Sequence, residues 1–188
     1  ARGAAAESAP ILRHSIGLGA GASLAAALMH GLMEAIEADA RLHAEATGRE
    51  QRLALDKDDP DYGPLLVLLA AAGIEAMVYA QPCKAGLFAV KATVIERKGP
   101  VSLPLPANGY AARASQSAAI TAALAEAIQA RLAVISGARE DITQRFYAHG
   151  FTPADLEAEW QRQTQLGTIQ TDPRTSTPTV RELAAQVG

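Results

Sequence analysis

Two short acidic patterns recur in the sequence, each within a segment whose apolar residues repeat at helical spacing. Glu34 and Glu37 form the first pair, and Glu126 and Gln129 form the second. Residues three apart project from one face of a helix about one turn apart, so each pair presents two oxygen-bearing groups to one ligand. Mg²⁺ prefers oxygen ligands and shares its coordination shell with substrate phosphates. The two pairs therefore predict a site for magnesium and ATP.

The segments that carry the two pairs are themselves alike. Residues 17–37 align without a gap onto residues 109–129, and each copy is interpreted as a glycine turn, a serine cap and a helix. A glycine turn before a helix N-terminus suits phosphate binding, which makes Gly17 a candidate nucleotide-binding residue. Arg131 and Arg139 follow the second pair and are expected to supply positive charge for phosphoryl transfer.

The remaining reactive side chains offer less chemistry. His30 shares a predicted helix face with Glu34 and is kept as a possible site residue, whereas the other histidines show no paired metal spacing. Cys83 is the only cysteine, so no intrachain disulfide can form, and it is expected to be an ordinary thiol. This cysteine content favours the reducing cytoplasm.

Composition sets the class of protein. A chain of 188 residues is long enough for one domain with a hydrophobic core. The net charge of -3 gives no support to nucleic-acid binding, which normally requires a basic surface. No continuous apolar run reaches the roughly 18 residues that a membrane-spanning helix needs. We therefore expect no nucleic acid and no membrane as partners.

Local patterns predict an α/β fold in which helices pack on a mixed sheet. Residues 47–61 are polar and aperiodic and are expected to form a loop. We divide the chain into a core at 1–150 and a helical segment with a linker tail at 151–188. The predicted strands cover residues 11–18, 74–79 and 87–96, and the predicted helices cover residues 24–43, 65–72, 115–136, 141–147 and 153–165, with a linker at 168–178 and a short helix after it.

The sequence resembles the YcaO family over about residues 11–145. The first family signature reads approximately SNGLAAGN and then HGLxExxERDA, which stand here as SIGLGAGA at 15–22 and HGLMEAIEADA at 30–40. The second reads approximately ALxEAxQSRLxxISGxRDD and stands here as ALAEAIQARLAVISGARED at 123–141. Both signatures are long and occur in the family's order, with a glycine turn before each helix.

The resemblance implies a YcaO-like α/β fold that binds ATP and Mg²⁺. It also implies that peptide backbone amides are activated by phosphorylation of their oxygen, giving azolines, thioamides or amidines. The implied partners are a peptide or protein substrate and a protein that recruits the peptide or delivers sulfur. A homodimer is a further expectation. The implied metal ligands are Glu34, Glu37, Glu126 and Gln129; the nucleotide-binding residues are Ser15, Gly17, Arg131 and Arg139; Asp141 joins His30 as a possible site residue.

Two features of the chain keep an alternative open. Ala38 stands where the family usually has an arginine, and the chain is shorter than a full YcaO domain. The alternative hypothesis is a non-catalytic YcaO-like scaffold or peptide-binding subunit. A third reading, an unrelated α/β domain with alanine-rich helices, requires both signatures to be coincidental.

Overall fold

A computed structural model describes residues 16–83, 86–96, 106–137 and 152–171. The five strands form one sheet with the order β4-β3-β2-β1-β5, in which only the β1–β5 pair is parallel. The predicted α/β class with a mixed sheet is confirmed. The elements in chain order are α1 (Leu24–Thr47), β1 (Gln51–Ala54), α2 (Gly63–Ala71), β2 (Ile74–Gln81), β3 (Phe88–Glu96), β4 (Ala107–Arg113), α3 (Gln116–Ile135), α4 (Pro153–Thr164) and β5 (Thr168–Gln170).

The helices lie on both faces of the sheet, because successive strand residues point to opposite faces and both sets are apolar. On one face, α2 and α3 cover a core that includes Val78, Val90 and Leu124. On the other face, Ile36 of α1 belongs to a second cluster. Trp160 of α4 packs against a third cluster on that same face. This layering places α1 and α3 on opposite sides of the edge strand β4.

The contact between α3 and β4 depends on small residues. Ala123 and Ala127 are fully buried on α3. A Cβ added to Gly109 would lie 2.2 Å from the Ala123 carbonyl oxygen and 2.4 Å from the Ala127 nitrogen. Gly109 therefore lies inside β4, where the helix backbone approaches it, and the predicted glycine turn at this position is wrong.

The two helix starts confirm the predicted serine caps. Ser23 Oγ accepts a hydrogen bond from the Ala26 N–H at 3.2 Å, and Ser115 Oγ accepts one from the Ala118 N–H at 3.2 Å. The sequence similarity thus corresponds to equivalent caps and helices. The preceding segments differ, since Gly17 occupies a turn with φ 83° while its sequence counterpart belongs to a strand.

The predicted loop at residues 47–61 is partly wrong. It contains the end of α1 and the whole of β1, where Arg52 pairs with Tyr79 of β2. Of the four residues of β1, only Leu53 is buried, so the strand carries almost no apolar pattern. The segment predicted as a linker begins with β5. Leu53 of β1 pairs with Ile169 of this strand. Short strands whose pairing partners are distant in sequence leave little local signal.

The acidic turn after β1, residues 56–61, is held by hydrogen bonds to one of its own carboxylates. Asp59 Oδ1 accepts the N–H groups of Asp61 at 2.8 Å and Tyr62 at 3.2 Å. The same carboxylate accepts the Ser117 hydroxyl at 2.9 Å. These bonds tie the turn before α2 to the first turn of α3.

Most other predicted elements agree with the structure within a few residues, but residues 16–18, predicted as the end of a strand, form a turn and irregular chain. The helix at 65–72 corresponds to α2, and the two strands that follow it form the long antiparallel pair β2–β3. Thr152 caps α4 with Pro153 in the first turn, as predicted. The predictions for residues 11–15, 141–147 and most of the linker and tail lie outside the described residues, and the division of the chain near residue 150 stays a prediction.

Within the described ranges, α3 is the one helix whose length and composition would allow it to cross a membrane. Its apolar character has another explanation in the fold. Ile120 and Leu124 are fully buried against the sheet. Burial of these residues against the sheet accounts for part of the apolar composition of the helix.

Candidate functional site

Glu37 lies half-buried between α1 and the sheet, with Glu34 one turn before it. Burial and, after it, the negative charges of Glu126 and Glu34 together raise the pKa of Glu37 from 4.5 to about 7. Arg113 and Arg41 oppose this rise. A carboxyl group with this pKa marks a place where negative charge is concentrated and a cation would be stabilised.

Glu126 reaches the same place from α3, on the other side of β4. Burial raises the pKa of its carboxyl group, hydrogen bonding from the Tyr110 backbone N–H opposes the rise, and Glu34 adds to it. Its residue surface is nevertheless exposed, so the carboxylate lies at the rim of the strand and not beneath it. Three of the four predicted metal ligands thus lie within electrostatic range of one another.

Gln129 and Arg131, the other predicted site residues on α3, have different surroundings. Gln129 is exposed on the turn after Glu126. Arg131 forms an ion pair with Glu96 at the end of β3. Both side chains of that pair are largely buried, and Arg131 is not among the charges that shift the pKa of Glu37 or Glu126.

The glycine-rich segment before α1 folds back along that helix. A Cβ added to Gly31 would lie 2.6 Å from the Gly17 carbonyl oxygen, so this close approach requires glycine. The Ala20 N–H donates to His30 Nδ1 at 3.2 Å. The three other predicted site residues, Ser15, Arg139 and Asp141, lie outside the described residues.

His30 links this segment to the acidic group, which consists of Glu34, Glu37 and Glu126. Because Nδ1 accepts a hydrogen bond, a neutral imidazole carries its proton on Nε2. That atom lies 3.6 Å from Glu34 Oε1. His30 therefore connects the glycine-rich segment to one of the three clustered carboxylates, a connection that the sequence pattern indicated only through their shared helix face.

Sequence reasoning missed two arginines at this site. Arg41 lies one turn after Glu37 on α1, and its guanidinium carbon is 5.2 Å from the centre of the Tyr110 ring. Arg113, at the end of β4, donates from Nη1 to the Ala112 carbonyl oxygen at 2.8 Å. The spacing of Arg41 from Glu37 was visible in the sequence, whereas the position of Arg113 required knowledge of β4.

The acidic group is open. In the part of the chain that the structure describes, no three His, Cys, Asp or Glu side chains are arranged to hold one metal ion. Glu34 and Glu126 both raise the pKa of Glu37, but the three carboxylates do not form a coordination shell. The described side chains therefore do not enclose a structural metal.

A larger cavity lies elsewhere. Between β1 and β2, where strand pairing stops, a cavity of about 680 Å³ is lined by apolar residues such as Leu53 and Trp160 and also by the charged Arg52, Lys57 and Glu75. None of the predicted site residues lines it. The cavity is separated from the acidic group by the width of β2 and β3, so the candidate site is defined by its chemistry and not by cavity size.

Comparison with known proteins identifies the class. The family model described as YcaO cyclodehydratase, ATP- and Mg²⁺-binding, matches residues 2–186. The chain belongs to the YcaO family, whose described cofactors are ATP and Mg²⁺. No curated protein matches the chain.

Solved structures share the fold at low sequence identity. The YcaO protein from Methanopyrus kandleri bound with AMPPCP and Mg²⁺ is 20% identical with a TM-score of 0.68, and the match covers 93% of this chain and 46% of that one. A heterocyclase in complex with substrate and cofactor is 19% identical with a TM-score of 0.68, covering 91% and 23%. The Escherichia coli microcin synthetase McbBCD complex with pro-MccB17 is 15% identical with a TM-score of 0.65, covering 92% and 48%. The chain thus spans less than half the length of each of these relatives.

Proposed function

We propose that this chain supplies the ATP- and magnesium-binding part of an enzyme that activates a peptide backbone amide by phosphorylating its oxygen. The observation that carries the proposal is the convergence of Glu34, Glu37 and Glu126 from two helices at the β4 edge. Three nearby carboxylates repel one another, and a bound divalent cation would relieve that repulsion. Family membership supports ATP and Mg²⁺ as the ligands.

In this proposal the three clustered glutamates bind magnesium, and Gln129 adds a neutral oxygen from the next turn of α3. The remaining coordination positions belong to water and to the phosphates of ATP. Gly17, which lies against Gly31 of α1, is proposed to bind phosphate together with Ser15, and Arg139 is proposed to add positive charge. Arg131 joins them only if its guanidinium leaves Glu96. Asp141 remains a possible site residue.

The proposed reaction conserves every atom of the amide and of ATP. The amide oxygen attacks the terminal phosphorus of ATP, and ADP leaves. A cysteine thiol, a serine or threonine hydroxyl, or an external sulfide then attacks the phosphorylated amide carbon. Phosphate leaves carrying the amide oxygen. A side-chain thiol or hydroxyl loses its proton as it attacks and the amide nitrogen loses its N–H proton, which gives an azoline; external sulfide gives a thioamide and a nitrogen nucleophile an amidine, with their surplus protons released to solvent. Magnesium and arginine stabilise the negative charge that develops during phosphoryl transfer.

The proposed partners follow from this chemistry. The substrate is a ribosomally made peptide or protein, and a second protein recruits it or supplies sulfur. The microcin synthetase relative is a multi-protein complex with pro-MccB17 bound, which supports a multi-component arrangement. The proposed compartment is the cytoplasm, where ATP is available and Cys83 would remain reduced.

An isotope-transfer experiment tests this function. A cysteine-containing peptide with heavy oxygen in its backbone carbonyls is incubated with the protein, ATP and Mg²⁺, in the presence of candidate partner proteins. The proposal expects heavy oxygen in the released inorganic phosphate and loss of one water from the peptide. Release of unlabelled phosphate would show ATP hydrolysis by water and contradict amide activation.

A second candidate function is a YcaO-like scaffold or peptide-binding subunit without catalysis. It is favoured by the ion pair that holds Arg131 on Glu96 and by Ala38 at the position where the family usually has arginine. A scaffold would bind the peptide or its partner without magnesium-dependent nucleotide binding. A well-folded wild-type protein that binds peptide but no nucleotide would favour this second function.

A further inference from the structure

We propose that Arg41 and Arg113 are the phosphate-binding arginines of this site and that they bind the nucleotide bridged to magnesium at the β4 edge. This inference rests on the proposed function and assigns to these two residues the role that the sequence pattern assigned to Arg131. Arg131 is already paired with Glu96, and nothing in the two acidic signatures indicates either of the other arginines.

Helix geometry places Arg41 beside the acidic group. Glu34, Glu37 and Arg41 are spaced by three and four residues, so they follow one face of α1. The guanidinium lies 5.2 Å from the centre of the Tyr110 ring, which is close enough for a cation–π contact. A cation–π contact does not use the N–H donors of the guanidinium in hydrogen bonds, and these donors suit the oxygens of a phosphate.

Arg113 approaches from the other side of the strand. It pairs in register with Phe88, which packs in the core that α2 and α3 cover, so its side chain starts on the α3 face of the sheet. One of its five N–H donors is used by the Ala112 carbonyl oxygen. No other hydrogen bond from this guanidinium occurs within residues 16–83, 86–96, 106–137 and 152–171, so its other donors can bind an anion.

Tyr110 joins the two halves of the site. Its backbone N–H faces the Glu126 carboxylate, while its ring supports Arg41. One residue of β4 thus fixes a carboxylate from α3 and an arginine from α1. Two arginines and three carboxylates then surround the strand edge, a mixture of charges that matches a magnesium ion bound to phosphates better than it matches a bare metal ion.

Because arginines and carboxylates lie near one another, removing an arginine should have opposite effects on the binding of nucleotide and of metal alone. An arginine near carboxylates repels a free divalent cation, but it attracts a triphosphate. Removing Arg41 or Arg113 should therefore weaken nucleotide binding and strengthen the binding of metal alone. A residue that only maintains the fold would weaken both.

The experiment uses the full 188-residue chain. Arg41→Gln, Arg113→Gln and wild type are titrated with AMPPCP at saturating Mg²⁺, and separately with Mn²⁺ alone. Each arginine variant should lose about ten- to hundredfold in nucleotide affinity, the range for hydrogen bonds to charged groups. Its Mn²⁺ affinity should stay equal or rise by roughly two- to fivefold.

Two further variants control the interpretation. Arg162→Gln removes an exposed arginine from α4, which packs on another part of the sheet, and should change neither affinity. Arg41→Lys retains the positive charge and the fold but loses the planar pair of donors, so it should recover only part of the nucleotide affinity.

Unchanged nucleotide affinity in both glutamine variants would overturn the inference and leave the proposed function intact. Equal losses for AMPPCP and Mn²⁺ would also overturn it, because they indicate a structural role. If wild type binds Mn²⁺ but no nucleotide, the proposed function itself fails and this inference fails with it.

Discussion

Glu37 is the site residue whose raised pKa shows the effects of burial and of neighbouring negative charges together. It is half-buried, it faces two other carboxylates, and its pKa of about 7 departs from the usual value near 4.5. A raised carboxyl pKa means that the folded protein holds a proton that the unfolded chain has released. Proton release, metal binding and stability are therefore linked at this residue.

Glu37 should make the metal-free protein less stable as pH rises. Between about pH 4.5 and 7 the folded state binds more protons than the unfolded state, so stability present below this window is lost across it. Since Glu37 is only half-buried, we expect about 1–2 kcal/mol. Urea unfolding in the presence of a chelator, at about pH 5 and about pH 8, measures this difference. Glu37→Gln should lose less stability over the same range, and identical losses would contradict the assignment.

Cys83 carries a thiol that we expect to be unreactive in the folded protein. Burial raises the pKa of its thiol to about 11, and the nearby Asp39 charge adds to the rise. Only the thiolate is nucleophilic, so we expect slow alkylation of the native protein at neutral pH and fast alkylation after denaturation. Rapid reaction of the native protein with a thiol reagent would show that the thiol is ionised and accessible.

At the scale of elements, the site exists because two helices flank one edge strand at close distance. The approach of α3 requires that Gly109 has no side chain and that the facing helix residues are alanines. Alanine and glycine, which look uninformative in a sequence, thus determine how near Glu126 lies to α1.

Gly109→Ala should destabilise the protein by about 1–3 kcal/mol, because the new Cβ would meet helix backbone that cannot rotate away. It should also weaken magnesium-dependent nucleotide binding, since Glu126 would move outward. Gly167→Ala is the matched control, because nothing lies within 4 Å of its added Cβ and its φ is ordinary. Equal thermal stability of the two variants would argue against the close α3–β4 contact.

The acidic turn between β1 and α2 has a structural role that can be measured separately. Asp59→Ala removes an acceptor used by two backbone N–H groups and by Ser117, so we expect a loss of about 1–3 kcal/mol in unfolding free energy. Asp58→Ala, at an exposed position in the same turn, should change stability by less than about 0.5 kcal/mol. A larger effect at Asp58 would show that the acidic turn acts through total charge and not through specific bonds.

Sequence patterns predicted the elements whose signals are local. Periodic apolar residues and serine caps located α1 and α3, and alternation located β2 and β3. The strands β1, β4 and β5 were missed because β1 and β5 are short, β4 is rich in alanine and glycine, and all three are defined by partners elsewhere in the chain. For the same reason the carboxylates could be predicted but Arg41, Arg113 and Tyr110 could not, because their importance depends on the position of β4.

At the scale of the whole molecule, the chain is a YcaO-family fold that spans less than half the length of its solved relatives. The acidic group opens at the edge of the sheet, where β4 has no further strand beside it among the described residues. An open edge leaves room for ATP, for a peptide and for another protein surface. Binding of nucleotide is therefore the part of the proposed activity that this chain can be asked to show by itself.

The most direct test is a calorimetric titration of ATP into the wild-type protein with and without Mg²⁺, beside a Glu34→Gln/Glu126→Gln double variant. The amide substitutions preserve shape while removing two of the three clustered charges. We predict binding that requires Mg²⁺ in the wild type and a loss of at least about tenfold in the double variant. Absence of binding by a well-folded wild type, or equal magnesium-dependent binding by both proteins, would contradict the assignment of the nucleotide site to these carboxylates.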